Sequence, residues 1–112
     1  MHESAPIKLR DILIVARSLI ADKAQWCQGV MACDADCGEV DSKSSRAVRW
    51  CAVGALEHVT GRSFDSLLVK RVLIQAAFRL YRSSPVRVND CMGHDAVLAV
   101  YDAAIAGLGE AG

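Results

Sequence analysis

The stretch HDAVLAVYDAAIAGL, His94–Leu108, carries the clearest structural signal of the chain and sets its fold class. Its large apolar residues recur at helical spacing, which places them on one face of an α-helix. The members of that face are Val97, Leu98, Tyr101, Ala104, Ile105 and Leu108. Asn89 and Asp90 precede the pattern and are expected to cap this helix or to form an Asx turn.

Three segments further upstream also show helical apolar spacing, namely Pro6–Asp22, Ser45–Thr60 and Phe64–Tyr81. Gly61 is expected to end the second of them, because glycine adopts the backbone conformation of a helix C-cap without strain. Pro85 is expected to end the segment that contains the third. The sequence therefore predicts four helices.

The helical period is lost between the first two helices, where residues 33–41 read CDADCGEVD. Aspartate and glycine favour turns, through side-chain hydrogen bonds and through positive φ angles. Val30–Cys33 and Glu39–Asp41 are predicted to pair as a small hairpin around this turn. The predicted fold is thus mainly α and bundle-like, with a loop or small β-hairpin between helices 1 and 2.

Length and composition indicate one soluble globular domain over residues 1–112, with disordered ends at 1–5 and 109–112. Lys+Arg and Asp+Glu both number 13, and this balance argues against a nucleic-acid-binding module, which usually carries excess basic charge. No apolar run is long enough for a membrane span, and no signal peptide is recognised. Five cysteines, an odd number, then predict free thiols in a cytoplasmic protein.

The first helix is apolar over more than one face, because Ile7 and Ile14 add a second stripe to the one that faces the core. Two explanations are open. Either the helix is central and covered on both sides by its own chain, or the second stripe meets another copy. We expect the second, a homodimer, because closed two-fold symmetry is the commonest solution for such a surface.

Basic residues concentrate in the third helix, where Arg71, Arg79 and Arg82 lie along one face. One interpretation is a solvated surface that the acidic last helix partly neutralises. The other is a basic binding face for an acidic protein or a phosphate-bearing ligand.

Three sequence elements together resemble a known family. They are WCQG at Trp26–Gly29, RWCAVGAL at Arg49–Leu56, and VNDCMGHDAVLAVYDAAI at Val88–Ile105. In this order they resemble a family of short, uncharacterised bacterial and phage proteins, a domain of unknown function, over about residues 9 to 106. The resemblance implies no assigned activity. Cys37 departs from the family pattern, in which glycine directly follows the residue equivalent to Asp36.

The tryptophan–cysteine pairs suggest a binding pocket in which Trp26, Cys27, Trp50 and His94 converge. The alternative is that these side chains belong to the core, since free cysteine and tryptophan are often buried. Trp50 and Cys51 are both expected to be largely buried. His58, late in the second helix, is expected at the surface.

Cys91 and His94 suggest a thiol nucleophile with its base, with Asn89 or Asp90 orienting the imidazole. Capping and loop roles explain the same residues without chemistry. A tetrahedral zinc site is also conceivable, and its four ligands would be Cys33, Cys37, Cys91 and His94. The long gap between the two pairs argues against it, so we expect no metal and no cofactor.

The predicted function is a small non-enzymatic binding or interaction module, an accessory protein of bacteria or their phages. The alternative is a small thiol- or metal-dependent enzyme that uses Cys91 and His94.

Overall fold

Helices make up most of the chain in the computed structural model, which describes residues 5–61 and 64–109. Within those ranges the α-helices are α1 Ala5–Ile20, α2 Ala52–Thr60, α3 Phe64–Tyr81, α4 Pro85–Cys91 and α5 His94–Gly109. A 3-10 helix, Lys23–Gln25, and two short strands, β1 Ala32–Cys33 and β2 Arg49–Trp50, lie between α1 and α2. The mainly α fold with a small sheet between the first two helices is confirmed.

α1 occupies the centre of the fold. It packs against α2 and α5 and, over a smaller contact, against α3. Leu13, Ala16 and Ile20 are completely buried, and only Ile14 and Val15 among its described large apolar residues remain exposed, at 37% and 49%. The chain itself therefore covers most of the apolar surplus of this helix. The side chain of Ile7 lies outside the described part.

α3 and α5 follow the sequence prediction closely. α3 has the predicted bounds, and α5 extends one residue beyond the predicted end. Val69, Leu73 and Ala76 of α3 are buried, whereas the side chain of Leu80 is 45% exposed. Tyr101 of α5 is fully buried, and its hydroxyl donates to the backbone carbonyl of Ala52 at 2.6 Å.

α2 begins at Ala52, so the prediction of a helix from Ser45 is wrong. The reason is tertiary: Arg49 and Trp50 form β2, which pairs antiparallel with β1. Cys51 is the N-cap, and its sulfur accepts a hydrogen bond from the Gly54 N–H at 3.2 Å. Gly61 ends the helix as predicted, with a φ of 71°.

β1 has neighbours on both sides. The predicted partner Glu39–Asp41 contributes one antiparallel bridge, between Cys33 and Glu39, while the ladder itself is formed with β2. A parallel bridge joins Trp26 to Trp50 on the far edge of β2. Successive side chains of a strand point to opposite faces. Trp26 and Trp50 therefore share one face of this small sheet, and Cys33 and Arg49 share the other.

α4 is a helix that the sequence prediction missed. Pro85 begins it, instead of ending the preceding segment, and the Ser84 hydroxyl accepts from the Arg87 N–H as the N-cap. Asn89 and Asp90 consequently lie inside α4 and do not cap α5. Of the ends predicted to be disordered, Ala5 and Gly109 belong to helices, and the other residues lie outside the described ranges.

Candidate functional site

The side-chain amide of Asn89 joins three distant segments of the chain. Its Oδ1 accepts from Trp26 Nε1 at 2.6 Å and from the Ala52 N–H at 2.9 Å. Its Nδ2 donates to the Cys27 carbonyl at 3.0 Å and to Asp90 Oδ1 at 2.9 Å. The side chain is fully buried, and these four bonds use its whole hydrogen-bonding capacity. Asn89 thus fixes the positions of the Trp26 indole, the Cys27 carbonyl, the start of α2 and the Asp90 carboxylate.

The loop Trp26–Gly29 is fixed against the C-terminal end of α4. Gln28 Nε2 donates to the backbone carbonyls of Asn89 at 2.9 Å and Asp90 at 3.3 Å, which are among the carbonyls left free at a helix end. The Gly29 N–H donates to Asp90 Oδ1 at 2.9 Å. The three sequence elements that carry the family resemblance therefore meet at one place in the fold.

A cavity of about 200 Å³, which we call the cleft, opens where these elements meet. The cleft is lined by the polar side chains of Glu39, Asn89 and Asp90, by the Cys51 thiol, by Gly29, and by the apolar side chains of Val30, Met31 and Val86. A wider depression of about 440 Å³ shares Met31 and Glu39 with the cleft and adds the carboxylates of Asp41 and Glu57. Every charged side chain that lines either space is acidic.

Cys51 lies in the lining of the cleft as a protonated thiol. Burial raises its pKa, an effect that the N–H groups of Gly54 and Val53 only partly oppose. Its sulfur lies 3.7 Å from the sulfur of Met31. Because a thiolate, and not a thiol, is the nucleophile, Cys51 contributes polarizable surface and no activated sulfur at neutral pH.

His94 is buried, and its ring caps the C-terminal end of α1. Its Nε2 lies 2.6 Å from the Ile20 carbonyl. A carbonyl only accepts, so Nε2 must carry the proton. The ring also packs on Trp26, with centroids 5.3 Å apart. Cys91, the proposed nucleophile, ends α4 with an exposed side chain and does not lie in the first turn of α5.

Trp50 packs with a different histidine. Its ring centroid is 4.8 Å from that of His58, and its Nε1 donates to the Ser42 carbonyl at 3.2 Å. His58 Nδ1 lies 2.7 Å from the same carbonyl. The prediction that His58 lies at the surface is wrong, because its side chain is half-buried. The structure therefore brings Trp26 to His94 and Trp50 to His58. Trp26 and Cys27 also adjoin Trp50, because a β-bridge joins Trp26 to Trp50 and the Cys27 N–H donates to the Trp50 carbonyl at 3.1 Å. Trp50 and Cys51 are buried as predicted, at 6% and 5% exposure.

The four candidate zinc ligands do not all lie at one place. Cys33 and Cys37 both adjoin the guanidinium of Arg49, whose pKa is raised chiefly by its hydrogen bond with Cys33. His94 instead binds the Ile20 carbonyl. Residues 5–61 and 64–109 contain no group of three or more histidine, cysteine or acidic side chains arranged to hold a metal ion.

The outward face of α3 is both apolar and basic. Leu67, Ile74 and Phe78 are 66%, 44% and 48% exposed, and they share one helix face with Arg71. Arg79 and Arg82 are exposed near the end of the helix. Within the part of the chain that the structure describes, none of these three arginines forms an ion pair.

Sequence reasoning missed Gln28, Met31 and Glu39, because their contacts come from segments far away in the chain. Ser84–Pro85 was a usable signal, since serine at an N-cap followed by proline at the first helical position indicates a helix start. That reading would have placed Asn89 and Asp90 on a helix.

No helix of the described ranges combines the length and the apolar character that crossing a membrane requires. No curated protein and no solved structure matches the chain. A model described as a family of unknown function, DUF6197, matches residues 4–107, and the chain belongs to that family.

Proposed function

We propose that the protein is a small non-enzymatic binding module that holds a cationic side chain of a partner protein in the cleft. The observation that carries this proposal is the lining of the cleft. Its charged members, Glu39 and Asp90, are both carboxylates, and they stand beside the apolar side chains of Val30, Met31 and Val86. Such a mixed lining suits lysine or arginine, whose aliphatic stem packs on apolar surface while the charged end meets an anion.

Both carboxylates are available to a ligand. Within residues 5–61 and 64–109, Asp90 uses its Oδ1 for the bonds with Asn89 and Gly29 and leaves Oδ2 to accept from a ligand. Glu39 is exposed and makes no side-chain hydrogen bond or ion pair within the described residues. The Asn89 hydrogen bonds hold Asp90 and the Gly29 loop in place before a ligand arrives, which lowers the entropic cost of binding.

The state of the nearby side chains supports binding over catalysis. Burial keeps the Cys51 thiol protonated at neutral pH. The Nε2 atom of His94 is committed to the Ile20 carbonyl, and the exposed Cys91 is not among the residues that line the cleft. The alternative of a thiol enzyme built on Cys91 and His94 therefore gains no support from their placement.

The test uses n-butylammonium and n-butylguanidinium as probes, with n-butanol as the uncharged control. We expect both cations to shift the amide NMR signals of Gly29, Met31 and Asp90 at millimolar concentration, and n-butanol to leave them in place. Glu39→Gln combined with Asp90→Asn should weaken binding about tenfold, whereas Asp95→Asn, an exposed carboxylate on α5, should not. Equal binding of n-butanol, or no shifts at all, would contradict the proposal.

We propose the face of α3 as a second contact surface, for an acidic segment of a partner protein. Its exposed apolar side chains support this choice, because contiguous exposed apolar surface marks interaction sites. Its arginines, which form no ion pair with any described residue, add positive charge. Poly-glutamate should shift the amide signals of α3, and Arg71→Gln with Arg79→Gln should remove the effect while Arg87→Gln retains it. A response to inorganic phosphate equal to that of poly-glutamate would instead indicate a phosphate-bearing ligand.

We also propose that the protein acts as a homodimer in the cytoplasm of a bacterium, as an accessory protein of the cell or of its phages. The exposed Ile14 and Val15 support the dimer. The five cysteines, none of which is disulfide-bonded, suit a reducing compartment.

A further inference from the structure

Two sulfur atoms lie against one guanidinium group on the face of the small sheet opposite the tryptophans. Arg49 Nη1 lies 3.9 Å from Cys33 Sγ and 3.9 Å from Cys37 Sγ. The two sulfurs are therefore separated by no more than twice that distance. Arg49 is itself held in place, because the same nitrogen donates to the Asp34 carbonyl at 3.0 Å.

Cys37 occupies a turn position that favours glycine. The Cys37 N–H donates to the Asp34 carbonyl at 3.0 Å, and the Asp34 N–H donates to the Gly38 carbonyl at 2.9 Å, which closes the turn. Cys37 adopts a φ of 68°, in the left-handed region that L-residues with a side chain rarely enter. The chain thus places a side chain where glycine would fit without strain. That side chain is an exposed thiol, and it adjoins the same Arg49 nitrogen as a buried thiol, Cys33.

We propose that Cys33 and Cys37 form a dithiol site that a hydroperoxide oxidises to an intramolecular disulfide. The thiolate of Cys37 attacks the peroxide; a sulfur–oxygen bond forms, the oxygen–oxygen bond breaks, and with hydrogen peroxide the leaving hydroxide is protonated to water. Cys33 then attacks the sulfenic acid of Cys37, which forms the disulfide and releases a second water. Two thiols lose two electrons, and one peroxide gains them.

Arg49 assists the first of these two reaction steps. The oxygen that leaves the peroxide becomes negative as the oxygen–oxygen bond breaks, and a fixed positive charge beside both sulfurs stabilises it. Arg49 is the group that provides that charge, at the same distance from the attacking and the resolving sulfur.

The other three cysteines are less suited to this chemistry. Burial and the neighbouring Cys33 raise the pKa of Cys27 to about 12, which keeps it a thiol at neutral pH. Cys51 is buried against Met31. Cys91 is exposed, but within the described residues no second thiol adjoins it, so it serves as the matched control.

The disulfide would brace the turn that leads to Glu39 on the rim of the cleft. That consequence rests on the proposed function, whereas formation of the disulfide does not, and the test measures only the disulfide.

The test treats the reduced, full-length protein with one equivalent of hydrogen peroxide and maps its cysteines by mass spectrometry. We expect a loss of two hydrogen atoms per chain, assigned to a Cys33–Cys37 link and reversed by a thiol reductant. Cys91→Ser should behave as the wild type. Cys37→Gly, which suits the backbone of the turn and so keeps the fold, should form no intramolecular disulfide.

Two further variants examine the order of steps. Cys33→Ala should leave Cys37 as a sulfenic acid that dimedone captures, and Arg49→Gln should slow disulfide formation about tenfold with the thermal unfolding transition retained. A Cys27–Cys33 link, oxidation confined to Cys91, or a disulfide that persists in Cys37→Gly would overturn the proposal.

Discussion

The indole N–H of Trp26 meets the side-chain carbonyl of Asn89 at 2.6 Å, across 63 positions of sequence. The same oxygen accepts the Ala52 N–H in the first turn of α2. One atom therefore ties the loop after α1, the start of α2 and the middle of α4 together. The geometry of the cleft depends on this shared acceptor.

Replacing Asn89 by alanine is expected to destabilise the fold by about 3 kcal/mol or more, since each buried polar group that loses its partner costs roughly 1–3 kcal/mol. The groups affected are Trp26 Nε1, the Ala52 N–H and the Cys27 carbonyl. Urea unfolding monitored by tryptophan fluorescence measures the loss. Gln28→Ala, which removes exposed or half-buried hydrogen bonds from the same loop, is the control and should cost about 1 kcal/mol or less. Equal losses in the two variants would show that Asn89 has no special role.

Gly54 cannot carry a side chain in the observed packing. A Cβ atom at this position would lie 1.9 Å from the Met31 carbonyl oxygen, which is backbone and cannot rotate away. Gly54→Leu should therefore cost about 1–3 kcal/mol or more through overpacking.

Gly107 is the matched control for Gly54, because it too lies in a helix but its Cβ would meet only the end of the Arg79 side chain, at 3.8 Å. Gly107→Ala should stabilise the protein by up to about 1 kcal/mol through helix propensity. Thermal unfolding by circular dichroism compares the two. A Gly54→Leu variant that melts with the wild type would mean that α2 does not pack on Met31.

Stability is expected to fall at alkaline pH. Burial raises the pKa of Tyr101 well above its ordinary value of 10, and it raises the pKa of Cys27 from 9 to about 12. The unfolded chain therefore loses these protons first, so the free energy of unfolding decreases as pH rises above about 9. Denaturant titrations between pH 8 and about 11 measure the slope. Cys27→Ala should make that slope shallower; an unchanged slope would assign the alkaline loss to other groups.

Sedimentation velocity at micromolar concentration tests the dimer. We expect a dimer in the wild type and a folded monomer in Ile14→Asp, because Ile14 is exposed enough to accept a charge without unfolding the chain. Leu13→Asp, one residue away and fully buried, should unfold the protein instead. A monomeric wild type would contradict the dimer. An Ile14→Asp variant that remains a dimer would show that the interface lies elsewhere.

Local pattern was enough to predict α3 and α5, since their apolar spacing and their end signals lie within the helices themselves. It failed at the start of α2. Ser45 and the apolar residues after it look like a capped helix, but Arg49 and Trp50 gain more by pairing with Ala32 and Cys33. Pairing with a distant strand leaves no trace in the local period.

The candidate site was predictable in its members more than in its contacts. Trp26, His94, Asn89 and Asp90 stood out in the sequence, and Trp26 does meet His94. The packing of Trp50 on His58 could not be foreseen, because it depends on the pairing of β2 with β1. The cleft likewise depends on Glu39, which only the bridge to Cys33 brings close.

The shortness of α2 has a consequence for the order of folding. Nine residues are too few for a helix to persist alone in water. The N–H of Ala52 relies on Asn89, 37 positions later, and Gly54 has to pack against the carbonyl of Met31, the residue before β1. α3 and α5 are long enough to form early from local contacts, whereas α2 becomes stable only after chain segments on both sides of it have closed large loops. We therefore expect α2 to form in the last phase of refolding. A change in the environment of Trp50 should accompany that phase.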